Sequence, residues 1–216
     1  MSNQPHASAR ARVARSRSIA VVAAALCIAF ARRRHLRWHA TAEEVTSTWP
    51  GDELSRGSTV TATRAITVLA LPRDVWPWVA QMGHGRGGMY SYGWLDRVAG
   101  IDPHSADRVV DEHQHIAVGD RFALHPNAVL EVAQVDPGRA LVIRRPRSVD
   151  GGPPYDFTLA FVLEEINDGT RLLVRERYSY SRWQVRPLAE LAAAMSFVMS
   201  KKTLRGIRAR VEQRPQ

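Results

Sequence analysis

Cysteine is all but missing from this 216-residue chain: Cys27 stands alone, which excludes an internal disulfide framework and any cysteine-based zinc site. Its place in an apolar run makes a buried, unreactive thiol the expectation. Acids are missing from residues 1–37, where eight arginines carry +8 of the formal net charge of +9 and leave the rest close to neutral. A second basic group, Lys201, Lys202, Arg205, Arg208, Arg210 and Arg214 against Glu212, ends the chain, so the middle is slightly acidic. A nucleic-acid binder needs a basic face with stacking aromatics beside it, and here the aromatics lie elsewhere in the sequence, so no nucleic-acid partner is expected. No Ser-His-Asp set, P-loop or paired-carboxylate motif stands out, and no cofactor is implied.

A long hydrophobic run is missing as well. Residues 19–31, I-A-V-V-A-A-A-L-C-I-A-F-A, are thirteen without a charge. As a helix they span about 20 Å, short of the ~30 Å hydrocarbon core of a bilayer. Three readings stay open. The basic start and the Ala29-Phe30-Ala31 triplet resemble a secretory signal, although Arg32 is a poor residue to follow a cleavage site. Arginines at both ends could snorkel and let the stretch serve as a short membrane anchor. The third reading is a disordered tail. Membrane association through 19–31 is therefore one expected localisation, a cytoplasmic chain the other.

What is present begins with size. At 45% apolar residues, the chain can bury a full core, and one domain over 38–216 behind a basic segment over 1–37 is the expected organisation. Residues 40–58 lack a sustained period and read as a lead-in with one helical turn near Ala42 to Val45. Residues 59–69 alternate with period two and predict a strand. Pro72 then opens a short helix with Val75, Trp76, Val79 and Met82 on one face, ended by Gly83. A second short helix is expected over 94–99. Strands are predicted over 108–111, 120–124, 129–135, 141–145, 155–164 and 171–179, with Asn167-Asp168-Gly169 as the clearest hairpin turn. No helices separate them, so the sheet is antiparallel. The last element, 187–210, predicts a long helix with Leu188, Leu191, Met195, Val198, Met199 and Lys202 along its buried stripe. Ala189, Ala192, Ala193 and Ala194 thin its waist, which leaves room for a cavity against the sheet.

This order of elements resembles the helix-grip fold of the START-like or SRPBCC superfamily, which includes polyketide cyclases and lipid-transfer domains. Ala65-Ile66-Thr67-Val68 followed by Leu71-Pro72-Arg73-Asp74-Val75-Trp76 is similar to that superfamily's strand and helix entry. A closer resemblance, over 37–210, is to a bacterial SRPBCC subgroup without an assigned reaction. It rests on residues 81–92, Q-M-G-H-G-R-G-G-M-Y-S-Y, on Ala106-Asp107-Arg108-Val109, on Val118-Gly119-Asp120-Arg121 and on 202–207. The resemblance implies an α+β fold, a curved antiparallel sheet wrapped around a long C-terminal helix, with an apolar cavity between them for a hydrophobic or amphipathic small molecule.

Candidate site residues follow. Tyr90, Tyr92 and Trp94 alternate in the glycine-rich loop and offer flat faces with polar tips, with Arg86 as a possible carboxylate anchor. The competing reading makes them core. The loop's glycines follow a helix, where a nucleotide fingerprint needs a strand before it. On the last strand Leu172, Val174, Glu176 and Tyr178 share a face. If that face is concave, Glu176 enters the cavity as a lone acid beside a tyrosine, with a raised pKa fit for general acid or base work. The alternative is a salt bridge at the cavity mouth. Tyr155, Phe157, Leu159, Phe161 and Leu163 share a face that reads as core. His84 is a further catalytic candidate, and Met195 and Met199 are candidate ligand contacts. His113 and His115 with Asp111 could bind a metal, but their polar surroundings read as solvated, and no metal is expected. The expected function is a carrier or sensor of a hydrophobic small molecule. Alternatives are a polyketide-cyclase-like enzyme using Glu176, Tyr178, Arg86 or His84, or an interaction module with a filled core.

Overall fold

The computed structural model describes residues 5–55, 57, 60–90, 105–145 and 153–213, with side chains from residue 19 onward. It contains two compact units, Met1–His35 and Leu36–Gln216. The first is a helix, α1 (Pro5–Leu36), on which Ile19, Val22, Leu26 and Phe30 are exposed. Cys27 is exposed too, which overturns the expected burial of its thiol: within its own unit the helix is a single layer. Among the described residues no helix is long and apolar enough to cross a membrane, so an anchor over 19–31 gains no support.

The second unit holds a six-stranded antiparallel sheet, curved and unclosed, packed against a long C-terminal helix. The strands are β1 (Val60–Val68), β2 (Arg121–His125), β3 (Ala128–Asp136), β4 (Ala140–Arg144), β5 (Asp156–Ile166) and β6 (Gly169–Ser179). Their order is β1-β6-β5-β4-β3-β2, so the first strand closes onto the last. Short helices α2 (Ala42–Thr46) and α3 (Pro72–Ala80) flank β1, and α4 (Arg186–Glu212) ends the chain. The Asn167-Asp168 turn joins β5 to β6 with Ile166 opposite Gly169, the hairpin expected there.

Period-two alternation sorts the side chains onto two faces. On the concave face Val68, Leu141, Ile143, Leu159, Phe161, Leu172 and Val174 form the main core with Val75, Trp78, Val79 and Met82 of the α3 region. The convex face carries Ala65, Val142, Ala160, Val162 and Leu173 and is covered by Trp49. That cover is the lead-in segment. A capping box starts α2, with Thr41 and Glu44 exchanging side-chain bonds to each other's backbone N–H groups. Trp49 Nε1 donates to the Glu44 carbonyl at 2.8 Å, and Asp52 pairs with Arg175 and Arg177 on β6.

Two expectations change. No strand forms over 108–111; instead a 3₁₀ turn runs over Asp111–His113. The physical reason is Gln81, fully buried, whose amide replaces a neighbouring strand: its Nε2 donates to the Arg108 carbonyl at 3.2 Å and its Oε1 accepts from the Val110 N–H at 3.0 Å. The buried stripe of α4 also differs. Ala189, Ala193, Ser200, Thr203, Leu204, Gly206, Ile207 and Val211 face inward, whereas Leu188, Leu191, Met195 and Val198 are exposed. Small residues win the inner face because the helix runs close to β1, near enough for Arg64 to reach the Ala193 carbonyl at 2.9 Å. The expected helix over 94–99 and the candidates Tyr92 and Trp94 lie outside the described residues.

Candidate functional site

Between the concave sheet and the first half of α4 lies a cavity of about 330 Å³. Leu124, Val129, Leu130 and Phe157 make its apolar wall, the rings of Tyr155 and Tyr178 continue it, and Ala192 and Ser196 close the helix side. The Tyr178 ring stands 5.4 Å from Tyr155 and 5.0 Å from Phe157 between centroids, so three aromatics form one surface. Asn127, Ala128 and Pro153 are exposed and mark the mouth; Tyr178 and Leu130 are buried and mark the inner end.

Behind that inner end sits a buried polar cluster. Glu176 Oε1 accepts from Arg64 Nη1 at 2.6 Å, from Ser196 Oγ at 2.5 Å and from Ser200 Oγ at 2.7 Å, while Oε2 accepts from Tyr178 at 3.1 Å. Arg64 also donates to Ser200 Oγ and to the Ala193 carbonyl. Both ions are at most 1% exposed, which places the pair in the interior and not at the cavity mouth. Two buried opposite charges with hydrogen bonds on both are the condition under which such a pair is tolerated. Burial, then the neighbouring Glu176 charge, pushes the Tyr178 phenol far up, so it remains a proton donor to the carboxylate. Burial also raises Tyr155.

A second cleft, about 550 Å³, is lined by Trp38, Ile66, Arg171, Arg205, Arg208 and Glu212 among others. Most of its charges are already paired: Arg171 with Glu44, Arg208 with Glu212. Burial opposes ionisation of Glu44, but bonds from Arg171 and Thr41 outweigh it and hold the carboxyl below its ordinary value. The Arg205 guanidinium stacks 5.5 Å from the Trp38 ring centroid.

Of the sequence candidates, Glu176 and Tyr178 therefore meet at the end of the first cavity. The others lie elsewhere. His84 is half-buried, with its backbone N–H on the Ala123 carbonyl at 2.7 Å, and lines neither cleft. Arg86 donates to the carbonyls of Ala80, His113 and His115, which ties these backbone segments together, and it lines neither cavity. Tyr90 is 1% exposed; its hydroxyl accepts from Gln81 Nε2 and donates to the Trp78 carbonyl, and burial raises its phenol to about 12. Core packing is thus its place. Met195 is exposed and Met199 half-buried, and neither lines either of these two cavities, a consequence of the helix phase above. His113 and His115 lend Arg86 their carbonyls, and among the described residues no group of three or more His, Cys, Asp or Glu could hold a metal.

The glycine-rich loop is a clasp. Gly83 and Gly88 exchange backbone bonds, and Gly87 lies so close to Gln81 that a Cβ there would stand 2.9 Å from its carbonyl oxygen. Stretches remote in sequence converge on it: Ala106 N–H on the Gly87 carbonyl, Thr203 Oγ1 on the Met89 carbonyl, Gly206 against Tyr90.

Arg64, Ser196 and Ser200 are site residues that sequence reasoning missed. A signal existed for Arg64: it is in phase with Val60, Ala62, Ile66 and Val68, a cation on a buried face that requires an acid opposite. Ser196 and Ser200 stand one helical turn apart beside the alanines, where they could have been read as a polar pair.

No family model and no curated protein matches the chain. Solved structures similar to it include the hypothetical protein jhp0584 from Helicobacter pylori, at 13% identity and TM-score 0.49, covering 75% of this chain and 94% of that one. Protein MLL2253 from Mesorhizobium loti is similar at 16% identity and TM-score 0.43, covering 72% and 99%. The di-domain ARO/CYC StfQ from the steffimycin biosynthetic pathway is similar at 16% identity and TM-score 0.44, covering 76% of this chain and 54% of that one. At TM-scores below 0.5, none of these likenesses carries a function to this chain.

Proposed function

We propose that this chain binds a hydrophobic or amphipathic small molecule in the cavity between its sheet and α4, as a carrier or sensor. The observation that carries the reading is the cavity itself: about 330 Å³, within the range of small-molecule sites at ~300–1,000 Å³, with an apolar and aromatic wall and a few polar groups toward its two ends. A filled core, as an interaction module would have, does not fit that space. Native mass spectrometry of the chain purified from its own host tests it. A retained small molecule is expected, and Ala192→Trp, which places a large ring where Ala192 lines the cavity, is expected to lose it with an unchanged melting temperature. Repeated preparations with no adduct, together with no saturable uptake of apolar fluorescent probes, would overturn the reading.

A second reading is an enzyme of polyketide-cyclase type. The observation favouring it is the convergence of Glu176, Tyr178 and Ser196 at the inner end. His84 has no place in that constellation. If the recovered ligand is converted by the wild-type chain, Tyr178→Phe that keeps affinity but loses conversion supports the enzyme; conversion unaffected by Tyr178→Phe counts against it.

A further inference from the structure

We infer that the inner end of the cavity recognises a hydrogen-bond donor, so the ligand buries an alcohol, phenol or amine there and not a bare carbonyl or ether. This rests on the cavity being a ligand site. Ser196 and Tyr178 are the two lining hydroxyls bonded to Glu176 behind the inner end; the third lining hydroxyl, Tyr155, is not among the groups on that carboxylate. A hydroxyl has one proton and two lone pairs, and an ionised carboxylate accepts only. Ser196 directs its proton to Glu176 Oε1 at 2.5 Å and Tyr178 directs its own to Oε2 at 3.1 Å. Neither therefore has a proton to give. Beside its 3.4 Å contact with Ser200 Oγ, what Ser196 has left to offer the cavity is oxygen lone-pair density.

Could Ser196 swing its proton to a ligand carbonyl instead? That would forfeit a charge-assisted bond to a buried carboxylate, the stronger kind, for a neutral one of lower strength. Arg64, fully buried and ion-paired at 2.6 Å, keeps the carboxylate in place as the common acceptor. The remaining polar side chains of the lining are Asn127, exposed at the mouth, Arg145, which donates to the Pro153 and Tyr155 carbonyls, and the half-buried Tyr155, two residues from Pro153 at the mouth, whose phenol burial keeps protonated. An apolar, flat body along Tyr155, Phe157 and Tyr178 with a donor at its buried tip fits this polarity. The hydrogen-bond sense, more than the pocket's size, then selects among ligands of similar shape.

Three compounds that share one body test it on the full chain: 2-naphthol, 2-methoxynaphthalene and naphthalene, titrated by intrinsic fluorescence or calorimetry. Methylation makes the ether the more hydrophobic of the first two, so transfer alone favours it. The inference expects 2-naphthol to bind about tenfold tighter than the ether, the scale of one hydrogen bond. Ser196→Ala is expected to bring the two within about threefold while naphthalene affinity stays unchanged. The wild-type comparison is decisive even if the variant folds poorly. If the ether binds as well as or better than the naphthol, donor recognition fails and the cavity reading stands. If none of the three binds saturably, the cavity reading fails, and the inference with it.

Discussion

The two halves of α4 make a natural comparison. Toward its C-terminus the helix seals: Thr203, Leu204, Gly206, Ile207 and Val211 are buried, and Gly206 lets the helix backbone rest on Tyr90. Toward its N-terminus Ala189 and Ala193 pack on β1, while Ala192 and Ser196 beside them line the cavity and Leu188, Leu191 and Met195 face outward. One helix thus seals along its second half and, in its first, grips β1 by its alanines while leaving a cavity beside them. The difference comes from side-chain size on the inner face and from a single junction, Arg64, which bonds to Ala193 in one half and Ser200 in the other. A rigid seal at one end can hold a wall in position at the other without filling it.

Breaking the junction should have the largest effect. Arg64→Met leaves Glu176 buried without its counter-ion and is expected to cost about 3–5 kcal/mol, measured as a shift in urea midpoint. Adding Glu176→Met is expected to restore much of that loss, and no recovery would mean the pair does more than satisfy itself. Next comes the sealed half. Gly206→Leu is expected to lower stability by roughly 2 kcal/mol, because overpacking at the upper end of ~1–3 kcal/mol outweighs the ~0.8–1.0 kcal/mol gained by removing a helical glycine. A Cβ there would lie 2.8 Å from the Tyr90 carbonyl oxygen, a backbone atom that cannot simply rotate aside.

Alkaline titration compares one tyrosine from each half. Burial raises Tyr90 to about 12, and burial with the Glu176 charge raises Tyr178 further. A raised phenol pKa contributes stability that is complete below the unfolded value of about 10 and is lost as pH climbs from there through the folded value. Ultraviolet phenolate absorbance should therefore show Tyr90 and Tyr178 ionising only as the fold is lost, with Tyr178→Phe removing one late phenol. Ionisation of Tyr90 and Tyr178 near pH 10 with the fold intact would contradict their burial. The smallest effect is expected on the outer stripe: Leu191→Gln and Met195→Gln should each change stability by no more than about 0.5 kcal/mol, as exposed positions do. A loss near 2 kcal/mol would mean that the stripe is covered.

Much of this fold is legible in the sequence because period-two alternation survives in β1 and in β3 through β6, and because Asn167-Asp168-Gly169 names its own hairpin. The phase of α4 is not, since hydrophobicity ranks Leu191 and Met195 above Ala189 and Ala193, whereas close approach to β1 selects the small residues. The clasp misleads for a related reason: glycines and tyrosines suit a pocket rim and equally a tight crossing of buried chain, and only the position of Gln81 and Gly206 in space decides between them. Glu176 could be placed on its face by parity, but its partner lies 112 residues away, and pairing across that distance is a property of the sheet order.

That distance also bears on how the protein is made. Since β1 pairs with β6, a chain emerging from its N-terminus must hold β1 unpaired, with Arg64 lacking its counter-ion, until Glu176 follows 112 residues later. The slow step in refolding should be this late, long-range closure, as expected where non-local pairing dominates. Until then, β1 is an open edge that invites association with other chains.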